Sequence, residues 1–307
     1  MKTYKHLYGP IPSRRLGRSL GISVTEEKTC NFNCIYCQVG KTLHHLERPK
    51  PLLDVDAALD ELATAIDSSS PFDVVSIVGN GEPTLESRLD VLIDGIKCLT
   101  DKPVALITNG SLFHIDSVCE SASKADIVLP SLNGYDERTF KSIHRPVNNL
   151  TFERVLEGLR AFCRTYEGQT WLEIMFIEGL NDDDESLEAY HALLETIDFD
   201  RLFLNTVVRP PAKSDVNPVS AERMLQIADR LKGVAIHTLA DGAFASAIED
   251  DYDALLSLIR HHPMHQHEID AFLASRDADA TALYERLAAD PGVESVDYKG
   301  FIIYRLV

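Results

Sequence analysis

Apolar positions along the chain follow two alternating rhythms. Short runs rich in β-branched residues, over 19–24, 73–79, 104–108, 126–132, 171–177 and 202–208, have the length and texture of buried strands. Between them apolar residues recur at three- and four-residue spacing over 54–66, 88–99, 114–123, 151–166, 183–196 and 221–231, which predicts amphipathic helices. Six strand–helix units in series imply a parallel sheet with helical crossovers. Six units suit either an open, partial barrel or a flat doubly wound sheet. In both, chemistry belongs on the loops that follow the strand C-termini.

The segments with unusual composition fall on those loops. A cysteine-rich stretch follows the first run, GNGEPTLE (79–86) the second, TNGS (108–111) the third, SLNG (131–134) the fourth and VRPP (208–211) the sixth. Near residue 250 the pattern changes. Helical spacing over 251–263, 265–274 and 279–290 is followed by two strand-like runs over 293–306 around Lys299-Gly300, a hairpin signal. Three short helices and a hairpin predict a small winged-helix domain over 250–307, behind a larger domain over 1–249.

With 307 residues, 45% of them hydrophobic, a sizeable core is available. No apolar run reaches signal-peptide or membrane-spanning length, so a soluble, cytoplasmic protein with reduced thiols is expected. The formal charge of −18 argues against sequence-blind binding of nucleic acid, which needs many Lys and Arg contacts to phosphate. Arg14, Arg15 and Arg18 make a local basic patch, either a solvated turn or a phosphate grip. From Asp253 onward nine acidic residues face five basic ones, so duplex DNA is an unsuitable partner for the winged-helix segment.

The cysteine stretch KTCNFNCIYCQVG places Cys30, Cys34 and Cys37 at C-x3-C-x2-C spacing, while Cys98, Cys119 and Cys163 are scattered within helical patterns, as buried small hydrophobes are. Thiolates suit zinc and iron–sulfur clusters. A closed zinc site wants four ligands, and His44 or His45 is the nearest candidate for the fourth. Three thiolates on a cubane cluster instead leave one iron open for a substrate or cofactor.

CNFNCIYC resembles the CxxxCxxC signature of the radical S-adenosylmethionine (SAM) superfamily, including the aromatic Tyr36 before the last cysteine, and GNGEPTLE resembles that superfamily's GGEP motif. The resemblance spans roughly residues 15–235. The longer string from Tyr8 to Gly40 looks closest to a subgroup often placed with the tRNA wyosine-synthesis enzymes, although no cysteine precedes Cys30 to supply the second cluster those enzymes carry. The resemblance implies a (β/α)6 partial TIM-like barrel and a [4Fe–4S] cluster on Cys30, Cys34 and Cys37, with SAM on the fourth iron. It implies that Glu82 accepts a hydrogen bond from the SAM amino group, and that Gly81 permits close backbone approach. Asn109 and Ser131 are expected to hold the SAM carboxylate or ribose, with Tyr36 and Val208 near the adenine.

The implied chemistry is reductive: a flavodoxin or ferredoxin-type donor supplies an electron, SAM is cleaved, and a 5′-deoxyadenosyl radical abstracts hydrogen from a substrate. RNA or protein is the expected substrate class, with His144 and Arg145 offering either substrate contacts or an ordinary turn beside Pro146. The rival reading is an iron–sulfur redox-sensing regulator acting through the winged helix. That reading needs a basic recognition helix, and residues 279–290 contain one arginine.

Overall fold

The structure, a computed structural model, describes residues 4–25, 27–68, 71–147, 150–236, 244–298 and 300–306. β1 (Leu7–Ser13) and β2 (Gly17–Ser23) form an antiparallel hairpin. β3 (Thr29–Cys30) and β4 (His44–His45) are a two-residue parallel pair that brackets the cysteine loop. Then follow α1 (Val55–Ser68), β5 (Val74–Val78), a 3-10 turn (Pro83–Leu85), α2 (Leu89–Leu99), β6 (Val104–Thr108) and α3 (Asp116–Ala122). β7 (Ile127–Pro130), α4 (Glu137–His144), α5 (Phe152–Thr165), β8 (Gln169–Phe176), α6 (Asp184–Leu194), β9 (Arg201–Thr206), α7 (Ala221–Leu231) and β10 (Val234–Ala235) complete the larger part.

The main sheet runs β1-β2-β5-β6-β7-β8-β9-β10. From β2 to β10 every pairing is parallel, and β1 lies antiparallel on the edge. The six expected strands are β2 and β5 to β9. Their spatial order follows the chain order with no reversal, as winding in one direction around a barrel requires; a doubly wound sheet would reverse at a switch point. The α/β fold is therefore a mixed sheet consistent with a partial TIM-like barrel.

Strand alternation explains the two cores. Val75, Ile77, Leu106, Val128, Leu172, Ile174, Leu202 and Leu204 point outward into the main cluster, which the helices cover. Residues of the other parity, among them Val74, Ala105, Ile127, Leu129, Trp171 and Phe203, form a separate cluster inside the barrel with Leu16 and Ile236. Further along the strands this inner parity turns polar, with Ser19, Ser76, Glu173 and Asn205. A run buried on both faces thus carries an apolar plug and, beyond it, a polar layer.

α8 (Asp251–His261), β11 (Met264–His265), α9 (Gln266–Ser275), α10 (Ala280–Ala289), β12 (Val293–Tyr298) and β13 (Phe301–Leu306) form a second unit, with an antiparallel sheet in the order β11-β13-β12. Its own core includes Leu255, Leu258, Ile269, Phe272 and Leu283, and draws in Phe244 and Ile248 from ahead of α8. The hairpin closes at Tyr298 opposite Phe301; of the expected turn, Gly300 has φ of 81° and Lys299 lies outside the described residues. Among the described residues no helix is long and apolar enough to cross a membrane.

Two expectations need correction. Cys98 is exposed: α2 buries Leu89, Leu92, Ile93 and Ile96, and a residue two past Ile96 points away from that face. His144 is not in a loop. It ends α4, an amphipathic helix of only eight residues whose apolar stripe, Phe140 and Ile143, is too short to stand out. The better sequence sign was the capping box, in which the Asp136 carboxylate accepts from the Thr139 N–H and the Thr139 side chain turns back to the cap.

Candidate active site

The cysteine loop is hung on the end of α4. A helix leaves its last carbonyls unpaired; here Asn33 N–H donates to the His144 carbonyl (2.8 Å) and Ile35 N–H to the Ile143 carbonyl (3.0 Å). Arg145 closes the helix in the left-handed region, with φ of 46°. Val147 N–H then returns to the Asn31 carbonyl at 3.0 Å. Phe32 is buried against Phe140 and His144, at ring-centroid distances of 5.5 and 4.5 Å. The three cysteines are therefore held by backbone pairing and an aromatic anchor, independently of their sulfurs.

Each sulfur meets a polar group from a different part of the chain. Phe32 N–H (3.3 Å) and the Asn109 amide (3.7 Å) donate to Cys30 Sγ. His144 Nδ1 lies 3.2 Å from Cys34 Sγ, and the Lys28 ammonium touches Cys37 Sγ. Burial pushes the Cys30 thiol up to about 12, with Glu82 adding to the effect, and burial likewise raises Cys34. Burial works against the Lys28 charge, but Cys37 and the other two cysteines outweigh it and raise its pKa. Burial holds His144 neutral, pushing it down to about 3.

One buried and two half-buried thiols with nearby donors fit a thiolate-ligated cluster, since a bound metal deprotonates its thiols and outer hydrogen bonds orient them. The Cys3His zinc alternative fits poorly: His44 and His45 are exposed, and His44 Nε2 pairs with Glu27 at 2.5 Å. Among the described residues no three His, Cys, Asp or Glu side chains converge as a single-ion site requires; a cubane instead takes its thiolates at separate iron atoms.

The GEP loop is locked onto this loop. A Cβ on Gly81 would stand 1.6 Å from the Thr29 carbonyl oxygen, and Glu82 N–H donates to that same oxygen at 3.0 Å. The close approach that glycine permits is therefore to the backbone beside Cys30. Glu82 is only 1% exposed. Its Oε1 accepts from the Thr84 N–H (3.0 Å), the Thr84 hydroxyl (2.6 Å) and the Thr108 hydroxyl (2.5 Å), and its Oε2 accepts from Asn109 N–H (2.7 Å). One carboxylate thus ties together the loops after β5 and β6. Asn109 also donates to the Asn31 side chain at 2.9 Å, which fixes it against the cysteines. Replacing Gly81 by Ala is expected to cost at least about 3 kcal/mol, because backbone rather than a flexible side chain must yield. Chemical denaturation and iron content after reconstitution check this; a variant as stable and as iron-rich as the parent rejects the interlock.

Tyr36 and Val208 line a cavity of about 250 Å³ with Lys28, Cys37, Gly81 and Met175. The Tyr36 hydroxyl accepts from the Asn133 amide at 2.6 Å, and the Asn133 carbonyl oxygen Oδ1 accepts from Met175 N–H at 2.7 Å. Ser131 sits just beyond β7, bridged in parallel to Glu173, and is not among the residues lining this cavity. A second cavity of about 250 Å³ adjoins it inside the barrel, sharing Arg14, Arg15, Gly81 and Arg209.

The basic patch is divided. Arg18 pairs with Asp73 outside, at the start of β5, whereas Arg14 and Arg15 line both cavities. Arg14 donates to Asn205 Oδ1 (2.8 Å) and to the Ile236 carbonyl, and Arg15 pairs with Glu173. The second unit closes one side: Arg209 pairs with Glu268 (3.1 Å), His261 Nδ1 lies 3.2 Å from Asn80 Oδ1, and the Tyr298 hydroxyl donates to the Val207 carbonyl (3.1 Å). Sequence reasoning missed Lys28, Glu173, Asn133 and Arg209. Lys28, Asn133 and Arg209 lie in loop segments the sequence singles out without marking these residues, and Glu173 shows as an acid inside an otherwise apolar run.

The sequence model of the radical SAM superfamily matches residues 28–190, just over half of the chain. A UPF0026 protein of Helicobacter pylori is 32% identical over 275 residues, 88% of each chain. A protein of Brachyspira hyodysenteriae named GTPase Obg is 37% identical over 220 residues; the match covers 72% of this chain but only 32% of that protein. Among solved structures, a radical SAM methyltransferase from Sphaerobacter thermophilus shares the fold, with a TM-score of 0.54 at 14% identity over 73% of this chain and 67% of that one. Solved proteins of this fold include some with SAM bound. With its C-x3-C-x2-C loop and GEP loop interlocked at the mouth of a partial barrel, the chain belongs to the radical SAM superfamily, whose enzymes use a [4Fe–4S] cluster and SAM, and is related to the UPF0026 proteins within it.

Proposed function

We propose that this enzyme binds a [4Fe–4S] cluster through Cys30, Cys34 and Cys37 and acts on a substrate held inside the barrel. The observation that carries the reading is the interlock of the cysteine and GEP loops, through Gly81 and the Glu82 N–H on Thr29, at the strand C-termini. The cofactors supply the hard chemistry, reductive cleavage of SAM to a 5′-deoxyadenosyl radical that abstracts hydrogen, with the electron from a flavodoxin or ferredoxin-type donor. The protein's share is placement. Tyr36 and Val208 wall the cavity beside Cys37, where SAM would lie. Gly81 keeps the GEP backbone close. Glu82 orders the loop edges that carry Asn109, and its Oε2, which accepts from Asn109 N–H, has lone-pair capacity left for the SAM amino group. Ser131, at the end of β7, lies outside that lining and would reach SAM only beyond the cavity.

In this reading the second unit, over 250–307, is a winged-helix-like wall of the site rather than a nucleic-acid reader. Its Glu268, His261 and Tyr298 are spent on contacts to the loops after β5 and β9. With dithionite and no substrate, the reconstituted protein is expected to form 5′-deoxyadenosine and methionine slowly. Addition of SAM should change the electron paramagnetic resonance signal of the reduced cluster. An unchanged signal rejects the reading. Glu82→Gln should weaken SAM binding about tenfold or more while iron content stays near that of the parent, since the amide presents one acceptor oxygen where the carboxylate presented two. Isothermal titration of SAM into the reconstituted variant checks it, and undiminished affinity would remove Glu82 from the SAM site.

A further inference from the structure

The barrel interior carries a charge opposite to that of the chain. The protein has 48 acidic residues against 30 Lys and Arg. Yet the two adjoining cavities are lined by Arg14, Arg15, Lys28 and Arg209, with Glu173 as the one acidic side chain among their lining residues. These cations are buried or nearly so, and their placement is built. Arg14 is held on β9 by Asn205, Arg15 on β8 by Glu173, and Arg209 by Glu268 of the second unit. Burial first, then repulsion from Arg15 and Arg209, brings Arg14 down to about 10, which leaves it charged at neutral pH. The neighbouring His261 and His262 are kept neutral by burial and add no charge.

Guanidinium groups crowded in a low-dielectric cavity repel one another, and an oxyanion relieves that repulsion while taking paired N–H donors. We propose that the inner cavity, bounded by Arg14, Arg15 and Arg209 and floored by Ser19 and Ser76, binds the phosphate or carboxylate group of a small substrate. The inference rests on the reading of the barrel as the SAM-dependent site and adds the substrate class. Size favours a small molecule over a polymer. At about 250 Å³, with His261 of α8 and the β1–β2 hairpin among its walls, the cavity is just below the usual range of small-ligand cavities and has room for one small anionic group.

The test uses the full-length reconstituted protein, with inorganic phosphate and malonate as probes in separate titrations followed by calorimetry and thermal shift. The expected result is saturable binding of one of the two, which also decides between phosphate and carboxylate. Arg15→Gln and Arg14→Gln should weaken it about tenfold to a hundredfold. Arg18→Gln, outside the barrel, should leave it unchanged. Because Arg14 also braces β9, Arg14→Lys serves as the charge-preserving partner, expected to stay folded and to bind more tightly than Arg14→Gln. Three results overturn the proposal: neither anion binds, SAM competes with the anion so that the arginines hold SAM's own carboxylate, or a short RNA binds more tightly than either probe and loses affinity in the same variants. SAM cleavage under dithionite is measured on the same samples. Its absence rejects the enzymatic reading, whereas its presence without anion binding rejects the substrate class alone.

Discussion

Replacing Cys30, Cys34 or Cys37 by Ala is expected to take the anaerobically reconstituted protein from about four irons per chain to nearly none, and SAM cleavage to background. Replacing Cys98, Cys119 or Cys163 should leave iron content unchanged. The loop explains why the first result would report ligation rather than unfolding. Its shape is set by Asn33 and Ile35 N–H groups on the last carbonyls of α4 and by Phe32 buried between Phe140 and His144. None of these contacts uses a sulfur. Cys34 and Cys37 are partly exposed, so their truncation removes little packing. Circular dichroism and melting of the Cys34 and Cys37 variants should therefore be close to those of the iron-free parent, while Cys30→Ala also loses packing. Cys163, buried in the main core, is the useful contrast: its truncation should cost stability, about 1 kcal/mol or more, and no iron. Iron retained by Cys34→Ala, or stoichiometric zinc in place of iron after anaerobic purification, would reject the cluster assignment.

The barrel was legible because its strands are buried on both faces and read as continuous β-branched runs, each followed by a helical period. Position along the chain then placed the cysteine, GEP and Thr-Asn-Gly segments on neighbouring strand ends. What could not be read is what joins distant segments. Arg14 meets Asn205 across 191 residues of chain, and no local pattern announces that partner. Arg14, Arg15 and Arg18 read as one patch because strand alternation within a turn is invisible in the sequence; the fold sends two inward and leaves Arg18 on Asp73. β1 hid behind Pro10 and Pro12, residues that an edge strand tolerates and a central strand does not. The role of Glu82 was half legible. A buried acid in a GEP turn points to a ligand, but its bonds to Thr84, Thr108 and Asn109 exist only once β5 and β6 are neighbours.

Arg209→Met is expected to destabilise the protein by about 3–5 kcal/mol, more than Arg209→Met combined with Glu268→Met. The pair is nearly dry, with side chains 6% and 10% exposed, so removing the arginine leaves a buried carboxylate without its cation, whereas the double replacement removes both charges. Arg209 also donates to the Pro263 carbonyl at 2.9 Å, an acceptor stranded in both variants, so the difference between them reports the unpaired carboxylate. Acid should act on the same seam. Burial would raise the Glu268 pKa, but His262, 4.0 Å away, the charge of Arg209 and the His265 N–H that donates to the carboxylate overcome it and hold the carboxyl down to about 2. A carboxylate depressed in the folded state contributes stability that is complete above its ordinary value and is lost as pH falls toward the folded one. His262 works in the same direction at higher pH. Burial, followed by repulsion from Arg209, lowers it to about 4, so from about pH 6.5 downward the unfolded chain takes up a proton that the folded seam refuses. Stability of the parent should therefore decline from about pH 6.5 downward through His262, together with His144 and His261, which burial likewise lowers to about 3, and further toward pH 2 through Glu268. Urea unfolding followed at a series of pH values, in the parent and in Arg209→Met/Glu268→Met, separates the two steps. The lower one should shrink in the double variant, and an undiminished lower step there would place the acid-sensitive group outside this seam.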